Sequence, residues 1–257
     1  MLSRAELLSQ RPSGVTEDVH FTESLAAAII EEYSKPGDVV LDPFAGFGTT
    51  ARVATRMGRR AVAVEFLEER ASIIRQRMHA GAQVITGDAR QLCSLVSGPV
   101  DLCLTSPPYM TAMGHPQNPL TGYTTDDGDY QAYLAELAAV FGDVAALLRP
   151  GGYAVLNVAN LTTADGVTTL AWDIGARVSR HLARRQDVFL CWDQNPAGIS
   201  GDYCLIFQKA DLLEMRANRE SPRKPIRKRD AAVPAETWER QATVDDLLSD
   251  ARRGQGT

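Results

Sequence analysis

Three shortages narrow the field before any motif is read. No apolar run approaches the roughly 20 residues that a membrane helix requires, and the opening MLSRAELLSQRPSG has no apolar core of the kind a secretory leader carries. The sequence therefore predicts a soluble chain with no membrane partner and a cytoplasmic location. Cysteine is sparse: Cys93, Cys103, Cys191 and Cys204 stand far apart, with no Cys-x-x-Cys pair and no histidine at ligand spacing. That pattern predicts reduced, structural thiols and no metal site. Positive charge is also short. With 27 Lys and Arg against 32 Asp and Glu the formal net charge is -5, which on its face argues against a nucleic-acid partner.

What is present is 257 residues, 44% hydrophobic and 23% charged, enough to bury a core in one large domain with a short extension. Helix-period and strand-like segments alternate along the chain. Helices are predicted over about 22–33, 49–57, 68–79, 130–148 and 170–182, and strands over about 39–41, 61–64, 83–86, 100–104, 153–158, 188–192 and 203–208. The run Arg149-Pro150-Gly151-Gly152 reads as a break before the fifth strand. Such alternation predicts an α/β fold, a doubly wound, mostly parallel seven-stranded sheet whose last two strands pair antiparallel at one edge. Residues 1–19 form an N-terminal arm in this reading, 20–210 the main domain and 211–257 a tail. The tail is basic first: residues 216–229 carry seven Lys or Arg and one Glu, so the remainder of the chain holds a net charge of -11. The acidity belongs to the fold, and a local basic arm is left for phosphates.

The polar residues fall at the carboxyl ends of the predicted strands, where open α/β sheets place their ligands. The first strand ends in Asp42-Pro43-Phe44-Ala45-Gly46-Phe47-Gly48-Thr49-Thr50. Two glycines in a strand-to-helix turn let backbone approach a ligand closely, while Asp42 puts an anion where a pyrophosphate loop would present neutral amides. A cationic cofactor without phosphate suits that turn. Glu65, 23 residues beyond Asp42, can accept from a ribose diol, and Asp88 can accept from an adenine amino group; each alone could equally be a helix cap. A further motif, Thr105-Ser106-Pro107-Pro108-Tyr109, ends the fourth strand.

These two motifs resemble those of the S-adenosylmethionine-dependent methyltransferases that act on exocyclic amino groups of nucleic-acid bases, and the similarity extends from about residue 20 to 208. The resemblance implies a Rossmann-like methyltransferase fold with S-adenosylmethionine as cofactor. It also implies cofactor contacts from Phe21, Thr22, Asp42, Pro43, Phe44, Ala45, Gly46, Gly48, Thr49, Thr50, Glu65, Asp88 and Ala89, with catalysis by Ser106, Pro107, Pro108 and Tyr109. A proline often found at the entry to the helix near residue 21 is replaced here by Thr22 and Glu23.

The chemistry explains the second motif. An exocyclic base amine is a poor nucleophile because its lone pair is delocalised into the ring. Two acceptors, the Ser106 side chain and the Pro107 carbonyl, can take both N–H groups and favour a pyramidal nitrogen, while the prolines stiffen the turn. Tyr109 can stack on the base, and a duplex target has to be flipped out to reach such a pocket. No Pro-Cys pair occurs, which disfavours carbon-5 methylation of cytosine. Ser at position 106 resembles the cytosine-N4 subgroup more than the adenine-N6 subgroup, so DNA cytosine N4 is the first expectation. An RNA base amino-methyltransferase and a cofactor-binding protein without turnover are the alternatives. Target recognition falls to the loop 110–129, the loop 193–202 or the tail. Trp192, Asp193 and Asn195 are candidates for the pocket rim, whereas His115 and His181 read as a solvated loop residue and a helix-end residue.

Overall fold

A computed structural model describes residues 1–13, 21–78, 81–108, 130–163, 166–194 and 199–210. Eight strands form one sheet: β1 (Val39–Asp42), β2 (Arg60–Glu65), β3 (Ala82–Thr86), β4 (Val100–Thr105), β5 (Leu148–Thr163), β6 (Gly166–Thr168), β7 (Ala183–Leu190) and β8 (Ile199–Gln208). The order is β3-β2-β1-β4-β5-β8-β7, with β6 attached to β5 off that path. The first five strands run parallel; β8 pairs antiparallel with both β5 and β7. This is the expected doubly wound sheet, with one small strand more than the sequence pattern showed.

The helices are α1 (Arg4–Ser9), α2 (Glu23–Tyr33), α3 (Thr49–Arg56), α4 (Glu68–Arg77), α5 (Leu92–Leu95), α6 (Tyr130–Leu147) and α7 (Leu170–Val178), with a 3-10 turn at Ala89–Gln91. The buried β-strands are continuous apolar runs, as parallel strands covered on both faces must be. Val40, Leu104 and Val155 share one core with Ile29, Ile30, Ala54 and Ile74 from α2, α3 and α4. Leu41, Cys103 and Leu156 share the other with Tyr133, Phe141 and Ile174 from α6 and α7. Among the described residues no helix is long and apolar enough to cross a membrane.

The segment read as a break before the fifth strand is part of it. Leu148 pairs with Val100, the register shifts before Leu102 pairs with Tyr153, and Gly151 absorbs the shift at φ 77°. Gly152 is equally constrained by space, since a Cβ there would lie 2.9 Å from the Asp101 carbonyl oxygen. The Pro-Gly-Gly run therefore makes a bulge, which bends a strand without ending it. Strand order reverses at β1, between β2 and β4, and this sets the carboxyl ends of β1 and β4 side by side.

Candidate functional site

Asp42 closes β1 with only 3% of its surface exposed. Its Oδ1 accepts the Phe44 backbone N–H at 3.1 Å and the Thr105 hydroxyl at 2.6 Å, so the ends of β1 and β4 are joined through this carboxylate. Burial pushes its pKa up to about 6 despite the Thr105 hydrogen bond. Thr50, on α3, donates to the Leu104 carbonyl at 3.2 Å and ties the helix to β4.

Between Asp42 and α3 the chain turns through Gly46 at φ 54° and Gly48 at φ 81°. The two glycines serve different ends. A Cβ on Gly48 would lie 2.9 Å from Ile74 Cγ2, so Gly48 permits close packing on α4. Among the described residues, no atom beyond its chain neighbours lies within 4 Å of where a Cβ on Gly46 would stand, which leaves space there for a ligand. Glu65, at the end of β2 and 5% exposed, accepts from Gly46 N through Oε2 at 2.8 Å and from Leu67 N through Oε1 at 3.0 Å. Burial raises its pKa in spite of these donors. Each oxygen retains acceptor capacity for a diol while the carboxylate holds the glycine turn.

Asp88 caps the 3-10 turn after β3. Its Oδ1 accepts from Arg90 N at 2.9 Å, and the Arg90 guanidinium bonds both carboxylate oxygens, with Nη2 to Oδ2 at 2.6 Å. Burial works against ionisation here, but the Arg90 bonds outweigh it and hold the carboxyl below its ordinary range. Ala89 beside it is 3% exposed. Two carboxylates near a glycine turn open on one side suit a cationic nucleoside; the donor set does not form a phosphate cradle.

The other expected contacts lie at the ends of α2, β1 and β4. The Thr22 hydroxyl is fully buried, caps α2 by accepting from Leu25 N at 3.3 Å and shares a hydrogen bond with Ser24 at 2.9 Å. Phe21 is 5% exposed in the core under α2. Pro43, Phe44, Ala45 and Thr49 complete the turn, with Ala45 N donating to the Val64 carbonyl at 3.0 Å. Ser106 is 4% exposed and Pro107 buried at the end of β4. Tyr109, the loop 110–129 with His115, Asn195 and the tail 211–257 lie outside the described residues.

Several supports were not visible as motifs. The fully buried Tyr133 of α6 donates its hydroxyl to the Pro108 carbonyl at 2.8 Å and braces the proline turn. Asn157 of β5 and Asp202 of β8, 1% and 4% exposed, pair at 2.7 Å, and Trp192 Nε1 donates to the other Asp202 oxygen at 2.9 Å. Trp192 thus has a core role, packed with Leu7 of α1, and Phe47 of the glycine turn lies against the same cluster. Asp193 accepts from Arg4 N at 2.9 Å. The N-terminal arm contains α1, whose Glu6 accepts from Ser24 N and Oγ while Gln10 accepts from Glu23 N, capping α2. His181 is exposed beyond the end of α7. Cys103 and Cys204 are buried, while Cys93 and Cys191 are exposed.

The geometry can be set against known proteins. Residues 11–76 match the family model described as DNA methylase, of the N6/N4 type. The Type II methyltransferase M2.DpnII of Streptococcus pneumoniae is 45% identical over 58 residues, covering 23% of this chain and 22% of that protein. The Type II methyltransferase M.HinfI of Haemophilus influenzae is 43% identical over 56 residues, 22% of this chain and 16% of that protein. The chain matches only about a fifth of the length of these relatives, and the family-model segment 11–76 contains α2, the glycine turn and Glu65. Among solved structures, TrmN from Thermus thermophilus superposes with a TM-score of 0.55 at 22% identity, over 74% of this chain and 50% of that one. The N-methyltransferase NodS from Bradyrhizobium japonicum WM9, in complex with S-adenosyl-l-homocysteine, gives 0.52 at 12% identity, over 73% and 85% of the two chains. The resemblance to N6/N4 amino-methyltransferases stands in the matched segment, and the fold is the Rossmann-like methyltransferase fold.

Proposed function

We propose that the chain is an S-adenosylmethionine-dependent methyltransferase acting on an exocyclic amino group of a nucleic-acid base, cytosine N4 of DNA before adenine N6. One observation carries this reading. The Thr105 hydroxyl bond to Asp42 at 2.6 Å brings the Ser-Pro-Pro turn to the carboxyl end of the strand that opens the glycine turn. A methyl donor held over β1 and an amine held at the end of β4 would then meet at the switch in strand order.

Asp42, Glu65, Asp88 and the open backbone at Gly46 are assigned to the cofactor. Bound S-adenosylmethionine supplies an electrophilic methyl on a positively charged sulfur. The protein's part is to prepare the nucleophile. Ser106 Oγ and the Pro107 carbonyl accept the two amine N–H bonds and aim the nitrogen lone pair, and the buried setting of Ser106 strengthens these bonds. Tyr133 holds the Pro108 carbonyl and thereby the direction of the turn. Tyr109 is assigned to stacking on the target base. With that cofactor bound, these residues would hold the amine nitrogen in line as it exchanged one N–H bond for a bond to the methyl carbon, the neutral thioether leaving and the displaced proton passing to solvent. The basic segment 216–229 is assigned to phosphate contacts, and the cytoplasm is the proposed place of action.

The test is to incubate the protein with labelled S-adenosylmethionine and separate DNA and RNA pools, then digest to nucleosides. Label in N4-methylcytosine from DNA is the expected outcome. Label confined to RNA moves the substrate to RNA, label on a ring carbon overturns the amine mechanism, and label on neither pool overturns the activity. Tyr109→Ala should lower turnover and leave the calorimetric heat of cofactor binding intact.

A further inference from the structure

The N-terminal arm touches the cofactor side of the site in two ways, and the proposed mechanism leaves it unused. A helix leaves its first backbone N–H groups without partners of its own. In α2, Glu23 N donates to Gln10 Oε1 at 2.8 Å, Ser24 N to Glu6 Oε1 at 3.1 Å and Leu25 N to Thr22 Oγ1 at 3.3 Å. The first two of these bonds end on the arm. Ser24 gives its single hydroxyl hydrogen to Glu6 Oε2 at 2.8 Å, so in the Thr22–Ser24 bond at 2.9 Å it is Thr22 that donates. Glu6 thus sets the direction of a hydroxyl that the resemblance assigns to the cofactor.

The second contact is apolar. Leu7, 4% exposed, is buried with Trp192, and Phe47 packs against this pair together with Leu2. Phe47 stands between Gly46 and Gly48, both at positive φ, and the Arg70 guanidinium of α4 lies over its ring, 5.2 Å from the centroid. Glycine loses more conformational freedom on ordering than any other residue, so a turn with two of them gains most from whatever fixes the side chain between. The start of α2 reaches the same turn through α3: Glu23 ion-pairs with Arg52 and with Arg56, the latter at 2.7 Å, and Arg52 N donates to the Gly48 carbonyl at 3.0 Å. Leu2 anchors the arm beyond β7, donating its N–H to the Cys191 carbonyl at 2.7 Å and accepting from Asp193 N at 2.9 Å.

From these contacts we infer that the arm is part of the cofactor site, with Leu7 and Glu6 as positioning residues: Leu7 acts through Phe47 on the glycine turn, and Glu6 through the start of α2 on Glu23 and α3. The inference rests on the proposed S-adenosylmethionine-dependent reading. A turn already held by the arm has less freedom to lose when the cofactor binds, so the docked arm tightens binding. Linkage makes this reciprocal, and bound cofactor holds the arm down by the same factor. An arm with a structural part alone would add stability and show no such reciprocity.

The experiment has two arms, both on the full chain. Calorimetry measures S-adenosylmethionine affinity for wild type, Glu6→Ala, Leu7→Ala and Leu8→Ala, the last at a position of α1 that is 44% exposed. Amide hydrogen exchange follows residues 4–10 of wild type with and without saturating S-adenosylmethionine, which keeps the inference testable where a variant fails to fold. Glu6→Ala and Leu7→Ala should each weaken the cofactor at least about fivefold, Leu8→Ala should stay within about twofold of wild type, and the cofactor should slow exchange in α1 at least about fivefold. Unchanged affinity in both Glu6→Ala and Leu7→Ala, an equal loss in Leu8→Ala, or exchange in α1 indifferent to the cofactor would overturn the positioning role while leaving the proposed function intact. A wild type that binds no S-adenosylmethionine would overturn that function and this inference with it.

Discussion

The two halves of the site are held together by different kinds of contact. On the β1–β3 side each carboxylate bonds a backbone N–H two residues on: Asp42 to Phe44, Glu65 to Leu67 and Asp88 to Arg90. On the β4–β5–β8 side the partners are far apart in sequence: Pro108 with Tyr133 at 25 residues, Asn157 with Asp202 at 45, and Tyr130 with Asp173 at 43. The bonds two residues apart form within each strand end, while Glu65 also reaches back 19 residues to Gly46 N and Asp42 is bonded by Thr105 from β4. A half built from distant bonds exists only once whole elements have docked. The similarity to known DNA methylases covers residues 11–76, which takes in Asp42 and Glu65 but neither Asp88 nor the β4–β5–β8 side.

The sharpest way to break the comparison is Asp42→Asn. If the local half binds a cationic cofactor, loss of this buried charge should weaken S-adenosylmethionine by at least about thirtyfold, the scale of truncating one partner of a buried charge pair. Calorimetric affinity within about threefold of wild type would remove Asp42 from the cofactor site. Next come the two glycines. Gly48→Ala combines φ 81° with a contact at 2.9 Å from Ile74 and should cost about 1–3 kcal/mol of stability, read from chemical denaturation. Gly46→Ala meets no neighbour among the described residues, so it should cost less stability and more cofactor affinity; the reverse ranking would sink the assignment of open space at Gly46 to a ligand.

The distant half is probed by Tyr133→Phe. Removing the donor to the Pro108 carbonyl should cost about 1 kcal/mol and lower kcat, with the heat of cofactor binding unchanged. A smaller signal lies in pH. Asp42 and Asp202 are both raised to about 6 in the folded chain, so between about pH 4 and 6 the folded state holds more protons than the unfolded state. Their contribution to stability therefore falls as pH rises through that window, and the whole penalty is present above it. Denaturation midpoints across pH 4–7 should show this decline, reduced in Asp42→Asn. Cofactor affinity should move oppositely, strengthening as Asp42 ionises. The smallest effect is expected in the basic segment: neutralising Lys and Arg within 216–229 should flatten the salt dependence of binding to duplex DNA, the logarithmic slope falling by about 0.9 for each phosphate the segment had neutralised.

Much of the scaffold was legible because its signals are periodic. Val39-Val40-Leu41 is a buried strand on its face, and the helices at 22–33 and 130–148 begin and end within a residue of the observed α2 and α6. The misses share a cause. Helix α1 has six residues, too few to show a period, and what holds it are bonds from Glu6 and Gln10 to the start of α2 and from Asp193 to Arg4. The Pro-Gly-Gly run looked like a terminator because Gly and Pro weaken a strand in isolation, yet the partner strand β4 supplies pairing on both sides of the bulge. Thr22 also has a structural part that its resemblance to a cofactor contact did not show, since its hydroxyl caps α2 at Leu25 N.

By itself the sequence determined the strand-end carboxylates, the positive-φ glycine turn and the stiff proline turn, because each is set by dihedral limits and bonds within a few residues. It could not say that Asp42 would meet Thr105, that Tyr133 would brace Pro108, or that Asn157 of β5 would pair with Asp202 of β8. Those pairings depend on strand order and register. Alternation along a strand says which face a side chain takes but not which strand lies next to it. Only the closing of the whole sheet settles that.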